Sequence, residues 1–258
     1  MESNVIIVGG GPAGVITALT AKSVNPEKSV CVIKEIGDSV IPCAIPYMMN
    51  TMADPKQNAM GDLPLNNAGI QVVVGKAVAL DKAAHTVALE SGESLSYERL
   101  VLATGTEAVM PPIAGVNKKG VFIIQKSMSA MTALREEVGK AKNIVIIGGG
   151  FIGAEFADEL SKIPGKEIHV IEIMPKLLYA AFDDEFCDEV YQVLDSAAVR
   201  VHLSSGVVSI DGQEKAASVA LEGGESIPAD MVLVSIGARP SIDLAKTAGL
   251  RITDNMGG

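Results

Sequence analysis

The sequence predicts an α/β fold made of two Rossmann-like nucleotide-binding domains, and three observations predict it. Two glycine-rich turns, Gly9-Gly10-Gly11-Pro12-Ala13-Gly14 and Gly148-Gly149-Gly150-Phe151-Ile152-Gly153, each follow an unbroken aliphatic run. Each opens a stretch patterned as a helix. Each is followed, about 20 residues on, by a second aliphatic run that ends at an acid. Aliphatic runs without alternation mark strands buried on both faces, as in parallel sheets.

In the first copy, residues 5–8 read as a strand, residues 15–22 as a helix, and residues 29–33 as the second strand. Gly9, Gly11 and Gly14 have the spacing for a tight turn, for close backbone approach to a pyrophosphate, and for close helix–strand packing. The helix start presents unpaired N–H groups to phosphate oxygens. Pro12 and Ala13 complete the loop. Glu35 has the place of a ribose-binding acid, with Lys34 beside it.

In the second copy, residues 143–147 form the strand, Gly148, Gly150 and Gly153 supply the spacing, and residues 154–162 form the helix. The next strand, 168–171, ends at Glu172. A carboxylate at the ribose repels a 2′-phosphate, for which arginine is the usual partner. Residues 172–176 hold no arginine and one lysine, Lys176, so NADH is favoured over NADPH. One such loop alone could simply join a strand to a helix, and Glu172 alone could be a solvated strand-end acid. Two loops with all parts in place argue for nucleotide binding.

Between the copies stands Ile41-Pro42-Cys43-Ala44-Ile45-Pro46-Tyr47. Residues 45–51 are expected to form a short helix with Pro46 in its first turn. Cys43 would face the positive end of that helix, which favours the thiolate. The alternative is an inert packing cysteine, the reading adopted for Cys31 and Cys187. Met48 stands where a second redox cysteine would fall. Cys43 must therefore pair with an external thiol or cycle through sulfenic acid.

These residues resemble the flavin-dependent pyridine nucleotide–disulfide oxidoreductases, and within them the single-cysteine branch of coenzyme A-disulfide reductases, NADH oxidases and NADH peroxidases. The marks are the first glycine loop, Cys43-Ala44-Ile45-Pro46-Tyr47, Leu100-Val101-Leu102-Ala103-Thr104-Gly105, the second loop followed by Glu155, and Gly237-Ala238-Arg239-Pro240. The resemblance implies FAD on the first loop, with Ala103, Thr104 and Gly105 near the flavin-side crossover. It implies NADH on the second loop, with Phe151 as a gate for the nicotinamide, Ile152 within the loop, Glu155 at the nicotinamide end, and Gly237 also at the cofactor. Cys43 would sit beside the flavin and alternate between thiolate and oxidised sulfur.

The resemblance also implies that the second domain is inserted in the first. Residues 1–112 would begin the FAD-binding domain, 113–240 form the NAD-binding domain, and 241–258 return, incompletely, to the first. Strands 71–74, 85–89 and 93–96 are expected to form a β-meander, with Pro111-Pro112 marking the exit. Later strands are expected at 199–203, 219–221 and 231–236. The family continues into a Gly-Asp strand that touches the flavin and a C-terminal dimerisation domain. This chain stops at Asn255-Met256-Gly257-Gly258, so it is expected to be part of a parent that is a homodimer.

The expected function is passage of electrons from NADH through FAD to a sulfur substrate, a disulfide, coenzyme A disulfide or polysulfide, at Cys43. Pro12 stands where peroxide-reducing relatives carry a histidine, which favours sulfur. Lys22 stands where coenzyme A-disulfide reductases carry two arginines, and one lysine is a poor substitute for a pair. The alternatives are an NADH oxidase that reduces oxygen or peroxide through a Cys43 sulfenate, and a reductase module for a redox protein such as rubredoxin.

Composition agrees. A net charge of −10 argues against nucleic acid and anionic membranes. Hydrophobic residues make up 48% but aromatics only 3%, with no Trp, so the cores must be aliphatic. No run approaches the roughly 20 apolar residues of a spanning helix, and a strand begins too early for a signal peptide. A cytoplasmic protein is expected. His85, His169 and His202 are scattered and read as structural, and no metal site is expected.

Overall fold

The computed structural model describes residues 2–253. The terminal Asn255–Gly258 stretch named above lies outside them. The chain divides into two compact units.

The first unit comprises the chain up to Ile41, Ala59–Glu107, and the stretch from Arg239. It contains β1 (Glu2–Val8), α1 (Pro12–Val24), β2 (Val30–Lys34), α2 (Leu63–Asn67), β3 (Gln71–Val74), β4 (Ala77–Asp81), β5 (Thr86–Leu89) and β6 (Ser94–Leu102). The strands form one sheet in the order β3-β2-β1-β6-β5-β4. β1 lies parallel to β2 and β6, and β2 parallel to β3. Every residue of β2 is buried, and Ile6 and Ile7 of β1 are fully so. That is what an unbroken aliphatic run dictates for a strand covered on both faces.

The meander differs from the expectation. Residues 71–74 are a parallel edge strand beside β2, and the meander is β4-β5-β6. β4 was missed because its burial does not alternate, so it carries no period-2 signal. β6 serves both parts, pairing with β5 through Ser94–Ser96 and with β1 through Leu102.

The second unit comprises Pro42–Asn58 and Ala108–Ala238. After β7 (Thr106–Ala108) come β8 (Val121–Ile123), α3 (Met128–Lys140), β9 (Asn143–Ile147), α4 (Phe151–Ser161), β10 (Glu167–Ile171), α5 (Asp184–Ser196) and β11 (Arg200–His202). β12 (Val207–Asp211), β13 (Ser218–Leu221), β14 (Ser226–Pro228), β15 (Met231–Val234), β16 (Ala238–Pro240) and α6 (Asp243–Thr247) follow, the last belonging to the first unit. A parallel sheet runs β11-β10-β9-β15-β8, and β12-β13-β14 form an antiparallel sheet. Both feed one aliphatic core that includes Val145, Ile147, Val232, Ile210 and Val219.

The unit boundaries fall at Glu107/Ala108 and Ala238/Arg239, against 112 and 240 from the sequence. The larger difference is Pro42–Asn58, placed in the first domain by sequence order and grouped by its contacts with the second unit. The expected helix at 45–51 is instead two short 3-10 turns, Pro42–Ala44 and Pro46–Met48. Each turn begins at a proline, Pro42 and Pro46, whose fixed φ suits the first residue of a 3-10 turn as well as that of an α-helix. Cys43 therefore lies inside the first turn, not at the N-terminus of a helix.

Candidate nucleotide cradles and the cysteine segment

In the first unit the β1–α1 loop is fixed by backbone contact. Gly9 has φ +123°, and a Cβ there would stand 2.0 Å from the Ala103 carbonyl oxygen. A Cβ on Gly14 would stand 1.8 Å from the Gly9 carbonyl oxygen. Neither position admits a side chain. Gly11 differs, because a Cβ there would meet nothing within 4 Å. The middle glycine thus borders open space at the start of α1, where a phosphate can approach the backbone.

The second unit repeats this arrangement. A Cβ on Gly148 would lie 2.6 Å from the Ser235 carbonyl oxygen, and one on Gly153 1.9 Å from that of Gly148, while Gly150 borders open space. Ser235 was not legible from the motif. Its Oγ donates to the carbonyls of Ile147 (3.1 Å) and Gly148 (3.0 Å), bracing the loop from behind.

The helix starts support the same reading. Among the four long helices α1, α3, α4 and α5, two are capped by their own side chains. Ser127 accepts from Ala130 N at the start of α3, and Asp183 from Phe186 N at the start of α5. α1 and α4 begin at Gly11 and Gly150 with no side-chain cap and no acid in the first turn. Their leading N–H groups remain available to an anion. The two cradles therefore fit a dinucleotide pyrophosphate each.

The strand-end residues differ between the copies. Gly9 N donates to Ile33 O and Gly148 N to Ile171 O, both at 2.8 Å, so Lys34 corresponds to Glu172. A Cβ on Gly10 would meet Lys34 Cβ, as one on Gly149 would meet Glu172 Cβ. Glu172 turns back on its loop, its Oε2 accepting from Gly149 N (2.6 Å) and its Oε1 from Met174 N (2.8 Å). Lys34 is buried and donates to both oxygens of Asp62 at 2.6 and 2.7 Å. Glu35, expected at the ribose, is exposed and pairs with Lys76 at 3.3 Å. Lys176 is held by Asp188 at 2.8 Å and Asp184 at 3.5 Å. The Asp188 hydrogen bond foremost holds its ammonium above the usual lysine range.

At the other sequence marks, Ala103 N donates to Val8 O, bringing the end of β6 against the end of β1. Thr104 Oγ1 donates to Ser241 O at 2.6 Å, and Ser241 N to Gly105 O at 2.9 Å. Gly105 has φ +73° and Gly237 φ +119°. The Gly237 carbonyl accepts from Val109 N at 3.0 Å. Pro12 and Ala13 are exposed in the first turn of α1.

On α4, Phe151, Ile152 and Glu155 are exposed. Phe151 meets Phe182 edge-on at 5.5 Å, and Phe182 stacks on Phe186 at 4.3 Å. Partial burial pushes the Glu155 carboxyl up from its ordinary value.

Cys43 is exposed, while Cys31 and Cys187 are buried. Burial, with Glu93 adding to it, pushes the Cys31 thiol up to about 11, which makes it a poor nucleophile. Ile45, Pro46, Met48 and Met49 are buried beside Cys43. Lys22 donates to the carbonyls of Pro26 (2.7 Å) and Lys28 (2.9 Å), closing the loop after α1. No helix among the described residues is long and apolar enough to cross a membrane.

Comparison with known proteins places these features in context. The family described as pyridine nucleotide-disulphide oxidoreductase matches residues 3–258. An NAD(P)H coenzyme A polysulfide/persulfide reductase of Pyrococcus horikoshii is 34% identical over 98% of this chain and 57% of its own length. An NADH oxidase of Methanocaldococcus jannaschii is 34% identical over 96% of this chain and 57% of its own length. A solved NAD-dependent persulfide reductase from A. fulgidus superposes with a TM-score of 0.89 at 28% identity, over 98% of this chain and 49% of that one. The chain thus spans a little over half the length of the curated relatives it matches.

Proposed function

This chain belongs to the pyridine nucleotide-disulphide oxidoreductase family, and on that premise we propose that it serves NADH-dependent reduction of sulfur compounds, with FAD on the first loop and NADH on the second. FAD and NAD(P)H are the family's cofactors. FAD, when bound, supplies two-electron chemistry between a nicotinamide and sulfur. The residues proposed to hold it are the Gly9–Gly14 loop with Ala103, Thr104 and Gly105. Those proposed to hold NADH are the Gly148–Gly153 loop with Glu155, Glu172 and Gly237.

The observation that carries the proposal is the contrast among the three thiols. Cys43 alone is exposed, and it lies in a motif the family uses for redox chemistry. As thiolate, Cys43 attacks one sulfur of a disulfide or polysulfide. Its Sγ forms a new S–S bond while the old one breaks, and the departing sulfur leaves as thiolate or shortened polysulfide. Two electrons derived from NADH and one proton then cleave the mixed disulfide, restoring the Cys43 thiolate and releasing the bound half as thiol.

Polysulfide is favoured over coenzyme A disulfide as substrate. Coenzyme A carries several phosphates, and the nearest candidate cation late in α1, Lys22, is committed to two carbonyls. A second reading, oxygen or peroxide reduction through a Cys43 sulfenate, is favoured by the Methanocaldococcus relative named as an NADH oxidase. It lacks support from the first loop, where Pro12 offers no proton donor. Product analysis after NADH oxidation separates them. Sulfide formed anaerobically from polysulfide supports the proposal. NADH consumption that occurs only with oxygen or peroxide supports the second reading.

A further inference from the structure

We propose that Glu159 and Arg135 are positioning residues for Cys43, seating residues 42–58 on the nucleotide unit built around the second glycine loop. The inference rests on the reading of Cys43 as the redox thiol. The short 3-10 turns and the loop that follows them leave backbone groups without local partners. Here they find them on α3 and α4. Arg135 Nη1 donates to the carbonyls of Met48 (2.9 Å) and Met52 (2.8 Å), and Nη2 to that of Ala53 at 3.4 Å. Glu159 accepts from both donors of Thr51, the backbone N at 3.0 Å and Oγ1 at 2.9 Å.

Glu159 is only 1% exposed. Burial would raise its carboxyl, but hydrogen bonds from Lys162 and Thr51 outweigh that and hold it below the ordinary range. A buried carboxylate is costly to keep unless fully bonded, and this one spends two of its bonds on a single residue of the cysteine segment. Its place on α4 adds meaning. Phe151, Glu155 and Glu159 follow at intervals of four and share one stripe of the helix. One helix thus begins at the NADH loop, presents the two residues assigned to the nicotinamide, and ends by gripping the thiol segment.

The test uses the whole chain with Thr51→Val, Thr51→Ser and Arg135→Met. Thr51 is exposed and Thr51→Ser keeps its hydroxyl, so the Thr51 variants should fold where Arg135→Met does not, and the thermal midpoint checks this. Tryptic cleavage after Lys56, inside the segment, reports release. Calorimetry with NADH and the thermal midpoint report the rest of the unit. Thr51→Val and Arg135→Met should speed cleavage about tenfold and lower kcat for polysulfide, with NADH affinity unchanged. Thr51→Ser, which keeps the hydroxyl, should behave as wild type. Unchanged cleavage in both Thr51→Val and a folded Arg135→Met, or loss of NADH affinity in step with cleavage, overturns the proposal. Faster cleavage in a protein whose Cys43→Ser variant still reduces polysulfide would leave the clamp standing and remove the redox reading of Cys43.

Discussion

Lys34 and Glu172 occupy the same place in two copies of one strand–loop–helix–strand unit, each immediately after the residue whose carbonyl accepts from the first glycine of its loop. The carboxylate in the second copy is anchored to its own loop. The ammonium in the first is neutralised by Asp62. The two cradles are alike in backbone and differ in the side chain set at the strand end, an ion-paired lysine in one and a loop-anchored carboxylate in the other.

The carboxylate of Glu172 should disfavour a 2′-phosphate, since like charges brought together in a site are costly. Glu172→Ala should narrow the preference for NADH over NADPH by about tenfold or more. Titration calorimetry of both nucleotides checks this. A wild-type chain that binds NADPH as well as NADH removes the role given to Glu172.

The glycines of each loop should separate into two classes. Gly11→Val and Gly150→Val place the side chain in open space, so the variants should fold with thermal midpoints near wild type and lose flavin and NADH binding, respectively. Gly14→Val and Gly153→Val drive Cβ into the backbone and should cost about 3 kcal/mol or more of stability. Equal destabilisation by all four substitutions would contradict the assignment of Gly11 and Gly150 to ligand approach.

Much of this was legible in the sequence because it is local. Glycine spacing and flanking aliphatic runs fall close together in the chain, and they located both strand–loop–helix turns. Three things were not legible. Lys34 and Glu35 could not be told apart without the hydrogen bonds by which Ile33 and Ile171 each accept from the first glycine of their own loop. The turns around Cys43 read as a helix because Pro46 suits the first turn of an α-helix and of a 3-10 turn equally. Arg135 lies 87 positions from Met48 and Glu159 108 from Thr51, and nothing local links a helix charge to so distant a backbone group.

His169 and His202 stack at 5.3 Å with their ring nitrogens 3.0 Å apart. Burial, then the neighbouring His202, holds His169 below the usual histidine value, with Arg200 adding to this and Glu167 and Glu225 opposing it. A histidine depressed in the folded state binds a proton more readily when unfolded, so stability should fall as pH drops through about 6.5. Above that pH the contribution is complete. Below the depressed value in the folded chain the loss levels off. Urea unfolding at a series of pH values should show this slope in wild type and a flatter one in His169→Gln. An identical slope in both would assign the acid sensitivity elsewhere.

The central claim is that Cys43 is the redox centre, and stopped-flow of both half-reactions in flavin-loaded Cys43→Ser tests it most directly, with Cys31→Ser and Cys187→Ser as controls. Flavin reduction by NADH should proceed near the wild-type rate, because hydride transfer does not use the thiol. Reoxidation by polysulfide should be abolished in Cys43→Ser and retained in both controls. Reoxidation by polysulfide at the wild-type rate in Cys43→Ser would show that Cys43 is not the redox centre and contradict the account.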